Sequence, residues 1–597
     1  MTEIRRSLLA YLAAMAGCGA LLVVLLELWR ADFRVPFSYG GDAVCAQIWV
    51  KGLAEHGWFL ENPSLGAPGR MEMHDFPLAD GLFFALLRGF ALVFGDHVVA
   101  LNAYYLATFF LATASALFAL RQVGVDRGPA VVCGLLYAFL HYHFFRGEAH
   151  LFLASYFLVP LAAMVCLWLY RDGELLFRGG EHGRARLALG NRKTLAALAI
   201  CALLGSGGVY YAAFTCYLLL VAGCCAAASR RRVHPLGSAL ILVALIAAGV
   251  AANVAPTAVY AREHGANPAV TKREPGQVER FALKIAQLLM PAHGHRIEPL
   301  ARLRERYDGE PVTLVHETGS ATLGVVGALG FLGLLGSVFL RRKSDAPRLI
   351  DGLAALNLAA LLLATTGGFG ALVGYVVSPL IRCYNRISVF IAFFALAASA
   401  LGLARLVRAA RPGWPTVAVN VGLAAVLAIG ILDQTNRRLL PHQGDVARQF
   451  ASDAEFVGRI EAALPPGSMV FQLPLSEFPE GSPPGKMGTY DPARAYLHSK
   501  TLRWSFGAMK GRYGDAWQKY AVDRPAPEML RTIAPAGFAG IWVDREGYAD
   551  HGAAIEAGLP RAAGADPIAS RDGRFAFYDL TAYSTDLREE LGPERWA

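Results

Sequence analysis

The run from 236 to 259, "LGSALILVALIAAGVAANVAPTAV", holds no charged residue. About 20 apolar residues in a row match the hydrocarbon thickness of a bilayer. Within that layer each backbone amide must bond inside its own segment, so such a run has to be a helix. Hydropathy marks eleven segments of this kind, at 7–28, 97–120, 128–145, 150–170, 194–206, 209–228, 236–259, 319–340, 349–366, 387–404 and 415–433. A further apolar stretch, 368–381, is rich in glycine and reads as a re-entrant piece. With 55% hydrophobic residues, 17% charged residues and a mean hydropathy of +0.38, the chain is neither an ordinary soluble protein nor a disordered one. The expected fold class is an α-helical polytopic membrane bundle of about eleven transmembrane helices with a C-terminal exported α/β domain.

Basic residues set the expected orientation. Arg5 and Arg6, Arg121 and Arg127, the run 171–193, "RRR" at 230–232, "RRK" at 341–343, and Arg405, Arg408 and Arg411 all fall on one side of this arrangement. The positive-inside rule makes that side cytoplasmic, with the N-terminus inside. Arg5 and Arg6 precede an apolar run too long for a signal-peptide core, so it reads as a retained first helix. An odd number of spans puts the C-terminus outside. The expected location is a bacterial inner membrane, with the C-terminal domain in the periplasm. The expected domains are 1–433, a membrane domain with external loops 29–96 and 260–318, and 434–597, a soluble α/β unit. In 434–597 there are 19 Lys+Arg against 21 Asp+Glu, so the net charge of +9 resides in the membrane part and does not indicate nucleic-acid binding. The strings "GSMVFQLPL", "FAGIWVD" and "RFAFYDL" read as strands, and "AEFVGRIEAAL" and "APEMLRTIAPA" as helices. None of the nine cysteines has zinc-ligand spacing.

Polar groups gather at the outward ends of the spans. "HYHFFRGEAH" places Arg146, Glu148 and His150 between two apolar runs. Polar groups at a membrane helix end are costly unless they meet water, one another or a ligand. "YGGDA" puts Asp42 just after the first span, as a reacting group or as the N-cap of an interfacial amphipathic helix "AQIWVKGLAEHGWFL". "HDFPLAD" adds His74, Asp75 and Asp80. "GSGGVYY" brings Tyr210 and Tyr211, which either line a cavity or form an aromatic belt. Glu317 in "VHETGS" lines the same end or caps the next helix. "SPLIRCYNRIS" carries Arg382, Asn385 and Arg386 on the outward side, against the charge trend. A planar guanidinium suits an anionic phosphate; headgroup anchoring is the other reading. Carboxylates, imidazoles, arginines and tyrosines beside an apolar bundle suit a substrate with a phosphate head and a lipid tail.

With an acid after the first span, a second acid in the next external loop and a soluble C-terminal domain, the chain resembles the GT-C glycosyltransferases. These are polytopic enzymes that use polyprenyl-phosphate or polyprenyl-diphosphate sugars as donors. The chain departs from the oligosaccharyltransferase members in lacking a W-W-D-Y-G motif, and its first acid is not an Asp-Glu pair. The resemblance implies Asp42 and Glu148 as the catalytic acids and a polyprenyl-phosphate-linked sugar as donor. The acceptor would be an envelope glycan, lipid or protein.

The expected reaction moves a sugar to an acceptor hydroxyl on the outer face of the membrane, with inversion. Asp42 would take the acceptor proton. Arg146, Arg382 and Arg386 would meet the leaving phosphate. Glu148 and His150 would position the acceptor, or hold a divalent metal, Mg or Mn, together with Asp42. His74, Asp75, Tyr210, Tyr211, Glu317 and Asn385 would complete the binding site. Two other functions remain open: a transporter or flippase for a lipid-linked sugar, and a non-catalytic subunit of envelope polysaccharide assembly. Basic and aromatic residues in 496–517 (His498, Arg503, Trp504, Lys510, Arg512 and Trp517) would bind a glycan or pack over the membrane domain.

Overall fold

In a computed structural model, residues 3–179, 185–310, 317–340, 348–410, 413, 415–436, 439, 443–563 and 566–596 are described. The basic group 341–343, part of the run 171–193, Arg411, and Val315 and His316 of "VHETGS" lie outside these residues.

All eleven expected spans are helical over most of their length. Among the described residues eight helices are long and apolar enough to cross a membrane: Glu3–Leu25, His97–Gln122, Arg127–Arg146, Leu151–Asp172, Val209–Arg230, His234–His264, Tyr384–Ala410 and Thr416–Gln434. The chain is a multi-pass membrane protein. Gly324–Phe339 and Leu349–Ala364 are shorter apolar helices, and Arg192–Leu204 is shorter still. The helices 97–122, 151–172 and 384–410 are mostly buried, whereas 3–25, 234–264 and 416–434 lie at the periphery. Helix 209–230 packs on 234–264, 324–339 on 388–410, and 97–122 on 127–138.

Three local features refine the sequence reading. The segment 29–96 contains an apolar helix, Gly81–Phe94, too short to register as a span. The apolar stretch 368–381 forms only the short helix Phe369–Val376. The helix after the "GGD" motif, Asp42–Glu55, is not an interfacial helix with one wet face. Ten of its fourteen residues are buried, Lys51 among them. The reason is a second layer above it: Lys51 donates to the Ser499 carbonyl at 3.0 Å, and Tyr496 donates to Glu55 at 3.1 Å.

That layer is the C-terminal domain. Helix Gln443–Ala463 leads into a five-stranded sheet. Its order is 503–504, 469–473, 538–544, 575–579, 568–569; the first three strands are parallel and the last two run antiparallel to their neighbours. The three strings read as strands and the two read as helices take those forms. The sheet edge at Trp504 is not left open. Trp504 N–H donates to Ser64 O at 2.9 Å and Ala67 N–H to Trp504 O at 3.0 Å, so the segment after the first span covers the edge. One apolar core runs through both layers, from Cys18 and Phe109 in the bundle to Phe456 and Trp542 in the domain.

Candidate functional site

The site lies where four chain segments meet at one end of the bundle. The helix 127–146 is interrupted after Ala138 and resumes at His141–Arg146. The chain then turns at Gly147, φ 48°, a conformation that side-chain-bearing residues rarely adopt. This turn delivers Arg146, Glu148 and His150 to three different surroundings.

Arg146 points inward and is fully buried. It donates to Glu317 Oε2 at 2.7 Å and to Asn385 Oδ1 at 3.3 Å. Glu317 also accepts from Arg386 Nε at 3.3 Å, Arg386 Nη2 at 3.1 Å and Asn385 Nδ2 at 3.0 Å. The Arg386 guanidinium lies 4.3 Å from the centre of the Tyr210 ring, a cation–π contact. Burial alone would raise the Glu317 carboxyl, but the Arg146 and Arg386 charges hold it far below the usual carboxylate range. Two guanidiniums on one carboxylate leave one net positive charge. Arg386 Nη1 has no protein partner among the described residues. Glu317 is no helix cap: it begins a 3-10 turn, Glu317–Ala321, and the next helix starts at Gly324.

Asp42 lies within electrostatic reach of this cluster. Gly41, φ 53°, takes the cap position, so Asp42 is the first residue of its helix and makes no cap bond. Its side chain is 49% exposed, and Oδ2 lies 3.5 Å from His150 Nε2. Shielding from water and the Glu480 carboxylate raise its pKa, while Arg386 opposes them. Burial and the charges of Arg146 and Arg386 push the His150 imidazole down to about 4. At neutral pH the imidazole beside Asp42 is therefore uncharged.

Glu148 is only 2% exposed. Its Oε2 accepts from Ser38 N–H at 2.9 Å, and burial pushes it up to about 8. It lies beneath the Ser38–Asp42 loop rather than in the open site. Tyr211 is buried too, donating to the Leu153 carbonyl at 2.6 Å. Arg382 is directed elsewhere, to Gln277 Oε1 at 2.6 Å and over the Phe281 ring at 5.4 Å. His74 stacks on Tyr260, ring centres 4.7 Å apart. Asp75 accepts two bonds from Arg512 at 2.6 Å and one from Asn267 at 2.9 Å; these two residues join the C-terminal domain to the segments below it.

The structure thus brings together Asp42, His150, Arg146, Glu317, Asn385, Arg386 and Tyr210. It leaves Glu148 and Tyr211 as supports, and Arg382, His74 and Asp75 outside. Of the 496–517 residues, Arg503 bonds the Pro68 and Gly69 carbonyls, Trp504 is fully buried, and Trp517 stacks on Phe538. Arg503 and Trp504 fasten the domain to the segment 63–69, and Trp517 packs inside the domain. Sequence reasoning missed Glu480, Tyr39, Arg494 and Asp453. Only Tyr39 carried a signal, its place in "YGGDA".

Among the described residues no three His, Cys, Asp or Glu side chains come together as metal ligands. Asp42 and His150 supply two donors, and Glu317 is taken up by arginines. Mg and Mn commonly keep several waters and take one or two protein carboxylates together with substrate phosphate; Asp42, with His150 beside it, is the exposed carboxylate that would hold such an ion.

No family model matches the sequence, and no curated protein matches it. Among solved structures, the chain is similar to ArnT from Cupriavidus metallidurans bound to undecaprenyl phosphate. The TM-score is 0.49 at 12% identity, over 98% of this chain and 99% of that one. It is similar to the arabinofuranosyltransferase AftD from Mycobacteria, TM-score 0.48 at 15% identity, over 96% of this chain and 40% of that one. A third likeness is to the archaeal oligosaccharyltransferase AglB from Archaeoglobus fulgidus, in complex with an inhibitory peptide and a dolichol-phosphate. Its TM-score is 0.46 at 13% identity, over 97% of this chain and 75% of that one.

Proposed function

We propose that this protein is a GT-C-type glycosyltransferase that moves a sugar from a polyprenyl-phosphate or polyprenyl-diphosphate carrier to an acceptor hydroxyl. One observation carries the reading: the half-exposed Asp42 carboxylate, with no arginine partner among the described residues, lies beside His150 and within electrostatic reach of Arg386, which Glu317 holds. A base and an anion-binding group within one site are what displacement at an anomeric carbon requires.

Asp42 accepts the proton of the acceptor hydroxyl as its oxygen attacks the anomeric carbon. The bond from that carbon to the carrier phosphate oxygen breaks, and the electron pair leaves with the phosphate. Arg386, with one N–H edge unused, meets the negative charge that develops there. Arg146 is too deeply buried to do so directly; it holds Glu317 and so orients Arg386. Attack opposite the leaving group inverts the anomeric centre. A carboxylate whose pKa lies above its ordinary value holds the transferred proton better at neutral pH. Neutral His150 orients Asp42 without competing for the phosphate. The distribution of basic residues supports an external site, in a bacterial cell the periplasmic face of the inner membrane.

The test is Asp42→Asn, expressed to wild-type level in the native host, with mass spectrometry of envelope glycans. Loss of a positioned base costs about 10²–10⁴-fold in rate, so the modified glycan should vanish. Undiminished product overturns the reading. Accumulation of intact carrier-linked sugar on the cytoplasmic face favours a flippase.

A further inference from the structure

Asp42 follows a short glycine link that is tied to its own helix, Ala43 N–H donating to Gly40 O at 3.2 Å and Val44 N–H to Gly41 O at 3.1 Å. Between Tyr39 and Asp42 stand only Gly40 and Gly41, and a Cβ at either would meet nothing within 4 Å. No side chain packs where a Cβ on either glycine would stand, so the link can move as a unit with the helix unless its flanks are held. The chain is instead pinned on both sides of them.

On the near side, Ser38 is held from below: its N–H bonds Glu148, and its carbonyl accepts from Gln47 Nε2 at 3.1 Å. Tyr39 is held from above, wholly by the C-terminal domain. Its hydroxyl donates to Asp453 Oδ2 at 2.8 Å and lies 2.9 Å from His498 Nε2. With the tyrosine proton on Asp453, His498 is the donor to the phenol oxygen. Arg494 Nη2 donates to the Tyr39 carbonyl at 2.9 Å, and its guanidinium lies 4.6 Å from the ring centre. On the far side, the helix that starts at Asp42 is gripped by the same domain through Ser499 and Tyr496.

The grip is built on buried charge. Asp453 is 1% exposed and Arg494 5%. Arg494 Nη2 lies 3.3 Å from Asp491 Oδ1, and Arg574 bridges Asp491 and Asp544 at 2.7 Å each. Displacing one partner of a buried ion pair leaves an unpaired charge, which is strongly destabilising. Aliphatic residues would join two layers equally well, without fixing the register of one tyrosine.

We infer that the C-terminal domain is part of the catalytic apparatus, and that Tyr39, clamped by Arg494, Asp453 and His498, is a positioning residue that sets where the Asp42 carboxylate stands. This rests on the reading of Asp42 as the base. The domain then acts as a roof whose docking completes the site, and not as an independent glycan-binding module.

The test uses the full-length protein in lipid nanodiscs, with hydrogen–deuterium exchange over residues 37–47 and 538–544, alongside glycan mass spectrometry in the host. Arg494→Ala should speed exchange at 37–47 by about tenfold, leave the sheet strand 538–544 protected, and lower product by about tenfold at equal expression. Arg494→Lys, which keeps the charge and one bond to the Tyr39 carbonyl, should restore part of both. Unchanged exchange at 37–47, or faster exchange with wild-type product, overturns the inference. If Arg494→Ala also exposes 538–544, Tyr39→Phe decides: it removes only the hydroxyl, and must loosen 37–47 alone and lower product, or the inference fails. Asp42→Asn is run beside these variants. If it retains product, the base reading falls, while the exchange data still decide whether the clamp exists.

Discussion

His150 Nε2 lies 3.5 Å from Asp42 Oδ2, and the two arrive there on separate segments, one following a broken span and one at the start of a buried helix. Burial and the charges of Arg146 and Arg386 lower the imidazole's pKa, and Arg386 partly offsets the shielding that raises the carboxylate. The electrostatics of the pair therefore depend on charges that neither residue touches.

Glu480, on the C-terminal domain, is one of them. Its charge raises Asp42. A base must be deprotonated to act, so activity falls as pH drops through the Asp42 pKa, which lies above 3.8. Glu480→Gln removes a charge that favours protonation, so the acid limb of the pH–activity profile should move to lower pH. An acid limb in the same place would show that Asp42 does not govern it.

Glu148 should behave as a buried neutral acid. Its folded pKa is raised from 4.5 to about 8. The folded state therefore holds the proton more tightly than the unfolded chain, and stability from this group is full below 4.5 and lost as pH rises through 8. Glu148→Gln keeps an acceptor for the Ser38 N–H and removes the titration. Thermal unfolding should give a higher Tm than wild type at pH 9, no gain at pH 5, and near wild-type product at neutral pH. Complete loss of product with an intact fold would return Glu148 to a direct chemical role.

Glu317 and Arg386 should fail in different ways. Glu317→Ala strands the fully buried Arg146 without a counter-ion; removing one partner of a buried pair costs about 3–5 kcal/mol. Fluorescence-detected size exclusion should show loss of folded protein. Arg386→Lys keeps the charge but not the fork on Glu317. A charge-assisted bond contributes about 1.5–3 kcal/mol, so product should fall roughly 10–100-fold in folded protein.

Asp75 and Arg512 should prove energetically coupled. Their two bonds at 2.6 Å tie the segment below the C-terminal domain to the domain itself. A double-mutant cycle of Asp75→Asn and Arg512→Gln, read by unfolding, should give a coupling of about 1–2 kcal/mol, discounted for the partial exposure of Arg512. Additivity would mean the contact does not fasten the domain.

From the sequence alone came the helical bundle, the three strands and two helices of the tail, and the end of the bundle where polar residues collect. Each of these follows from local pattern: a span needs about 20 apolar residues, and a strand needs its β-branched and aromatic run. Helix 81–94 escaped because its apolar run is too short to stand out as a span. Which polar residue meets which was decided only by tertiary structure. Arg382 and Arg386 are four positions apart, yet one reaches Gln277 and the other Glu317. Arg146 and Glu148, two apart, go to an ion cluster and to a backbone amide. Nothing in "YGGDA" announces that its tyrosine is held by Arg494 and Asp453. Hydrophobicity is a property a segment carries by itself, whereas a buried charge takes its meaning from the partner that folding places beside it.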